Sequence, residues 1–175
     1  MEYPKPKLIV MSGLPGCGKS TLARPLAREF SASLLSVDPI ESAMLVAGLP
    51  KSFETGYAAY LVAETLASEQ LGLGLSVVVD AVNAEEEGKA LWRRLAERHG
   101  VTLVVIEMKL ADVGLHRARV EARVRGLPGF SEVSWERVEV RRKASTSWRE
   151  PSLTLDAVNP PAENLKQAIQ YIRAA

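Results

Sequence analysis

One cysteine, Cys17, stands in a chain of 175 residues, so no internal disulfide forms and folding rests on packing alone. That usage fits a reducing cytoplasmic setting. Two histidines, His99 and His116, are too sparse and too far apart to mark a metal site; His99 reads as a helix-end residue and His116 as a surface one. Neither sign of charge dominates: 22 Lys and Arg against 21 Asp and Glu leave +1. No bulk field therefore draws the chain to nucleic acid or a membrane surface. Apolar runs are strand-sized, well short of the roughly 20 residues that span a bilayer, and nothing at the start reads as a signal peptide. Repeats and low-complexity segments are absent. What remains is the composition of one soluble domain, 47% apolar and 25% charged.

Against this plain background one motif stands out. Gly13, Leu14, Pro15, Gly16, Cys17, Gly18, Lys19, Ser20 and Thr21 follow the pattern G-x-x-x-x-G-K-[ST]. An apolar, strand-like run (8–11) precedes it and a helical pattern (22–30) follows. Strand, glycine loop and helix together form the context of a phosphate cradle. Glycines let the backbone turn its N–H groups onto one anion, and the helix start adds unpaired N–H groups with a positive dipole end. Lys19 is expected at the β- and γ-phosphates, Ser20 on Mg²⁺ and Thr21 on a further phosphate. Cys17 is the small residue that fits its place in the loop.

Strand patterns are expected at 8–12, 34–37, 75–79, 101–108 and 152–155. Helices are expected at 21–30, 40–47, 54–73, 85–99, 113–125, 134–147 and 162–173. Near-continuous apolar strands separated by helices predict a parallel sheet covered on both faces. Ligands of such sheets sit beyond the strands' carboxyl ends, which puts the glycine loop, Asp38 and Asp80 at one edge.

Asp38 follows the second strand and Asp80 ends the third. One is expected to accept the proton of an attacking hydroxyl and the other to support Mg²⁺; spacing does not decide which. On the helix expected at 113–125, Arg117, Glu121 and Arg125 form a self-compensated row. Arg119 and Arg123 form a second row with no acid among its neighbours, which suits phosphate or adenine. Gly126, Leu127, Pro128 and Gly129 break the helix and offer a hinge, so that a mobile lid is expected around 113–131. Arg137, Arg141, Arg142 and Lys143, mixed with Glu136 and Glu139, read as an exposed helix face. Trp92, Trp135 and Trp148 read as packing residues.

With these residues placed, the chain resembles the P-loop kinases. The resemblance is to the branch that includes zeta toxins, chloramphenicol phosphotransferase and the polynucleotide 5′-hydroxyl kinase domain. It is carried by the glycine loop, Asp38, the run from Val77 to Asn83, the arginine helix and the run from Trp148 to Asp156. The resemblance implies a three-layer α/β/α P-loop NTPase fold of the nucleoside-kinase type, with one parallel five-stranded sheet in the order 2-3-1-4-5. It further implies a single kinase domain over 1–175 and Mg²⁺-dependent transfer of the γ-phosphate of ATP to an alcohol group. Asp38 is then the usual base, and Arg119 and Arg123 the phosphate and adenine contacts. One departure is Glu41, where the branch often carries an arginine that helps bind an anionic acceptor.

The acceptor is expected to be a small molecule lying near Asp38, Glu41 and the helix from 54, with Lys51, Tyr57 and Tyr60 as contacts. A polynucleotide 5′-hydroxyl acceptor is the alternative, resting on the basic segment 117–149. A non-catalytic ATP-binding switch is a third class. The guanine-reading [NT]-K-x-D is missing, which argues against a GTPase.

Overall fold

The computed structural model describes residues 5–175. Five strands, β1 (Lys7–Ser12), β2 (Ser33–Ser36), β3 (Val77–Asp80), β4 (Thr102–Lys109) and β5 (Ser152–Asp156), form one parallel sheet in the order β2-β3-β1-β4-β5. The order is the expected one. Around it run α1 (Lys19–Glu29), α2 (Val37–Val46), α3 (Phe53–Gly72), α4 (Glu86–His99), α5 (Val113–Glu121), α6 (Trp135–Ala144) and α7 (Pro161–Ala174).

Alternation along the central strand divides the core. Leu8 and Val10 of β1 join Val77, Val79 and Val105 in a cluster with Ala59, Ala63 and Ala67 of α3 and Trp92 and Leu95 of α4. Ile9 and Met11 point the other way, into Val78, Val104 and Ile106 with Leu22 and Leu26 of α1 and Ala168 and Ile172 of α7. All four residues of β3 are buried, as a strand covered on both faces requires. Local signals set the helix starts. Ser52 accepts from Thr55 N at 3.2 Å, Asp112 from Leu115 N at 2.8 Å and Ser134 from Arg137 N at 3.4 Å. Gly100, at φ 61°, closes α4.

Two boundaries differ from expectation in ways that bear on the site. The helix after β2 begins at Val37, so Asp38 lies in the first turn of α2 and not on a strand end. The arginine helix α5 stops at Glu121 instead of reaching Arg125. In a longer helix the Arg125 N–H would bond the carbonyl four residues back; here it donates to Glu132 Oε1 at 2.9 Å. Gly126 at φ 64° and Pro128 then keep the chain irregular up to α6. Among the described residues no helix is long and apolar enough to cross a membrane.

Candidate active site

The glycine loop joins β1 to α1 at the carboxyl edge of the sheet. Gly13 donates to Val82 O at 3.1 Å, and Ser12 Oγ donates to the same carbonyl at 3.3 Å. Asn83, 1% exposed and at φ 50°, holds the segment that carries Val82. Its Nδ2 donates to Met11 O at 2.8 Å, its Oδ1 accepts from Trp92 Nε1 at 2.8 Å and its backbone N–H donates to Tyr60 Oη at 3.2 Å. Burial pushes the Tyr60 phenol up to about 12.

Gly18, at φ 84°, precedes α1 with no side-chain cap, so the first-turn N–H groups stay free for an anion. Lys19 is buried and its Nζ donates to Leu14 O at 3.1 Å. The Cys17 thiol donates to the same carbonyl at 2.7 Å, and burial pushes its pKa up, which leaves it an inert packing group.

His116 is not the surface residue expected. It is 1% exposed and bonds Pro15 O through Nε2 at 2.7 Å. Arg142 Nη2 donates to its Nδ1 at 3.0 Å, and Trp135 meets its ring edge-on at 5.2 Å. A cationic donor on Nδ1 and a carbonyl on Nε2 specify a neutral ring with its proton on Nε2. Burial accordingly lowers its pKa. His116 thus props the glycine loop from α5.

Two cavities open at this edge. The first, about 850 Å³, runs over the loop past Gly16, Gly18, Ser20, Thr21, Asp80 and Arg119. The second, about 540 Å³, lies between α2, α3 and the segment after α5, and includes Glu41, Lys51, Tyr57 and Tyr60. Lys19, Asp38, Val82, Arg123 and Arg125 border both. Asp80 and Ser20 border only the first. Asp80 is 8% exposed and its carboxylate makes no hydrogen bond among the described residues. One carboxylate and one hydroxyl beside a phosphate cradle fit a magnesium ion held chiefly by phosphate oxygens and water. Among the described residues no cluster of three or more His, Cys, Asp or Glu is set to hold a metal by itself.

The arginines are distributed differently from expectation. Arg117 pairs with Glu121 at 2.7 Å on the outer face of α5, as the row predicts. Arg125 leaves that row, because the helix has ended. It pairs with Asp38, bonds Glu132 Oε2 from Nε at 3.1 Å and lies 4.5 Å from the Phe130 ring centroid. Its Nη2 is buried with no partner. Arg123 does not share a helix face with Arg119, yet both line the first cavity. Arg119 donates to Ala157 O from both terminal nitrogens at 3.3 Å. Arg123 is half-buried, forms no ion pair among the described residues, and has its pKa lowered by burial and by Arg125. Arg137 is exposed, as expected, and Arg141 is half-buried; both border the second cavity. Glu41 stands there too, its pKa raised by burial and by Asp38.

Arg125, His116 and the bracing role of Asn83 were not foreseen. Only Asn83 left a trace, as the end of the Val77–Asn83 run. The partners of the other two lie 87 and 101 residues away.

A parallel sheet in this order, with a glycine loop leading from β1 into a helix that opens on Lys19, is a P-loop fold of the kinase type. A family model described as AAA domain matches residues 8–146, and the chain belongs to that family. An uncharacterized protein of Mycobacterium tuberculosis is 27% identical over 188 residues, covering all of this chain; the chain spans about a third (36%) of that protein's length. Three solved structures share the fold. A provisionally assigned kinase of Chloroflexus aurantiacus superposes with a TM-score of 0.77 at 21% identity, over 96% of this chain and 99% of the other. A sugar kinase of a Janibacter species gives 0.73 at 16%, over 98% and 96%. The Mycobacterium tuberculosis APS kinase, in complex with AMPPNP and APS, gives 0.71 at 20%, over 98% and 99%.

Proposed function

We propose that this chain is an ATP- and Mg²⁺-dependent kinase that phosphorylates a hydroxyl of a small molecule. The observation that carries the reading is the pair of cavities, about 850 and 540 Å³, that share Lys19, Asp38, Arg123 and Arg125 as a common border. A donor nucleotide on the glycine loop and an acceptor in the second cavity then meet at that border. The APS kinase structure, with AMPPNP and APS bound together on the same fold, supports this division.

The acceptor oxygen attacks the γ-phosphorus. The bond from that phosphorus to the β,γ-bridging oxygen breaks, and ADP departs. The hydroxyl proton passes to the Asp38 carboxylate. Asp38 borders both compartments and Asp80 only the first, which favours Asp38 as base and Asp80, with Ser20, as magnesium support. The ion, when bound, neutralises phosphate charge. The chain's own part is electrostatic and positional: free N–H groups of α1, Lys19 and Arg123 hold the transferring group, and Arg119 the nucleotide side. Arg125 must loosen its pair with Asp38 before the base acts, and its partnerless Nη2 is then close at hand for the phosphoryl oxygens. The segment 113–131 serves as the lid, since Arg119, Arg123 and Arg125 all lie on it. Within the branch of resemblance, the chain stands with the small-molecule phosphotransferases, acting in the cytoplasm.

The test is ADP release by purified protein with Mg·ATP across a panel of hydroxylated metabolites. Lys19→Met and Asp38→Asn should each lower kcat by at least about 10²-fold. Undiminished transfer in Asp38→Asn would remove it as base; no Mg·ATP binding at millimolar ligand would end the kinase reading.

A further inference from the structure

The far wall of the second cavity is basic in a way the helix that supplies it does not neutralise. Arg137 and Arg141 stand four apart on α6 and so share a face, and both border the cavity. The acids of α6 stand elsewhere. Glu139 pairs with Arg142 at 3.1 Å, and exposed Glu136, in the first turn of α6, does not border the cavity. Neither Arg137 nor Arg141 forms an ion pair among the described residues. Lys51 borders the same space and lies 5.6 Å from the Phe130 ring centroid. Lys51 and Arg141 line the same cavity as Glu41 and Tyr60.

Carboxylates occupy other positions. Asp38 and Glu41 lie three apart on α2, on the side where the phosphoryl group arrives. Exposed Glu85 and Glu87, at the start of α4, form a third border. Two like charges four apart on a helix, with no acid of that helix beside them, favour an anion from outside.

We propose that the acceptor is a hydroxylated small molecule with one anionic group, its hydroxyl at Asp38 and its anion on Arg137 and Arg141 with Lys51. This rests on the kinase reading above and names the substrate class of that site. The acids on α2 repel the anionic end from the transfer position, so the same charges that bind the acceptor also orient it. With Glu85 and Glu87 at the other border, a molecule with several anionic groups fits less well than one with a single anionic group. The arginine missing at position 41 is thus made good from α6.

The experiment titrates protein saturated with Mg·AMPPNP, by calorimetry, with four compounds on one six-carbon chain: glucitol, gluconate, glucitol 6-phosphate and glucamine. Gluconate or the phosphate should bind at least about tenfold more tightly than glucitol, and glucamine most weakly. Which of the two anions binds better distinguishes a carboxylate from a phosphate acceptor. The double variant Arg137→Gln, Arg141→Gln should erase the difference while leaving Mg·AMPPNP affinity and Tm in place. Lys143→Gln, on the same helix but outside the cavity, should preserve it. Glucitol or glucamine binding as tightly as the anions, no binding of either anion, or discrimination surviving in the double variant would each overturn the proposal. Failure of Mg·AMPPNP to bind is read in the same titration and counts against the kinase reading instead.

Discussion

Gly13→Ala is expected to damage both stability and nucleotide binding, for a reason separable from glycine's flexibility. The register of β1 on β4 pairs Ser12 with Glu107, which sets Gly13 beside Met108. A Cβ at Gly13 would lie 2.2 Å from the Met108 carbonyl oxygen and 2.8 Å from Cys17 Sγ, at φ +139°. The first contact is about 1 Å inside an ordinary C···O approach, and the atom it meets is backbone. Positive φ alone costs an alanine about 1–2 kcal/mol, and forced displacement of packed backbone adds about 1–3 kcal/mol. A loss of about 2–5 kcal/mol corresponds to a Tm drop of roughly 4–20 °C in a chain of this size. Gly48 supplies the control: φ is +96° and nothing lies within 4 Å of its added Cβ. Gly48→Ala should therefore cost only about 1 kcal/mol, or roughly 2–4 °C. Thermal unfolding and Mg·ATP calorimetry on the two variants decide the matter. A Gly13→Ala protein melting within about 3 °C of the parent, with unchanged ATP affinity, refutes the steric argument.

Three further outcomes are expected. Arg125→Ala removes a guanidinium whose side chain is 13% exposed and is bonded to Asp38 and Glu132, which are 37% and 33% exposed. Partial solvent access sets the expected loss at about 1–3 kcal/mol, measured by urea unfolding. Arg123→Gln should lower kcat at least about tenfold with little change in stability, since it forms no ion pair to lose; single-turnover kinetics would show it. His116 is buried neutral with its pKa below 6.5. Below pH 6.5 the unfolded chain therefore binds more protons than the folded one, so this contribution is complete above that pH and declines as pH falls toward the folded value. His116→Gln should flatten the pH dependence of stability between about 7 and 5, by at most about 1.4 kcal/mol per pH unit. An unchanged slope would place the acid sensitivity elsewhere.

Short-range signals carried most of the architecture in the sequence. Val77, Val78 and Val79 announce a strand buried on both sides, and Asp112 and Ser134 announce helix starts by bonds spanning three residues. The glycine loop was legible because phosphate binding is done by consecutive residues. The second cavity was visible in outline, through Glu41, Lys51, Tyr57 and Tyr60. What stayed hidden depends on distant partners. A helix pattern through Arg125 looked sound until Glu132 and Asp38 captured that residue. His116 looked exposed because nothing near it in sequence reveals Pro15, Arg142 and Trp135. Arg137 is exposed, as its sequence pattern suggests; that it and half-buried Arg141 border the second cavity depends on the packing of α6.

Asn83 ties Met11, Trp92 and Tyr60 into one node. One buried side chain thus links the strand that leads into the glycine loop to the α3 and α4 side of the second cavity. The opposite bank has no such brace: residues 122–134 rest on α2 through Ser42 and Asp38. On the kinase reading, access for the acceptor is then expected from that bank and not from the braced one.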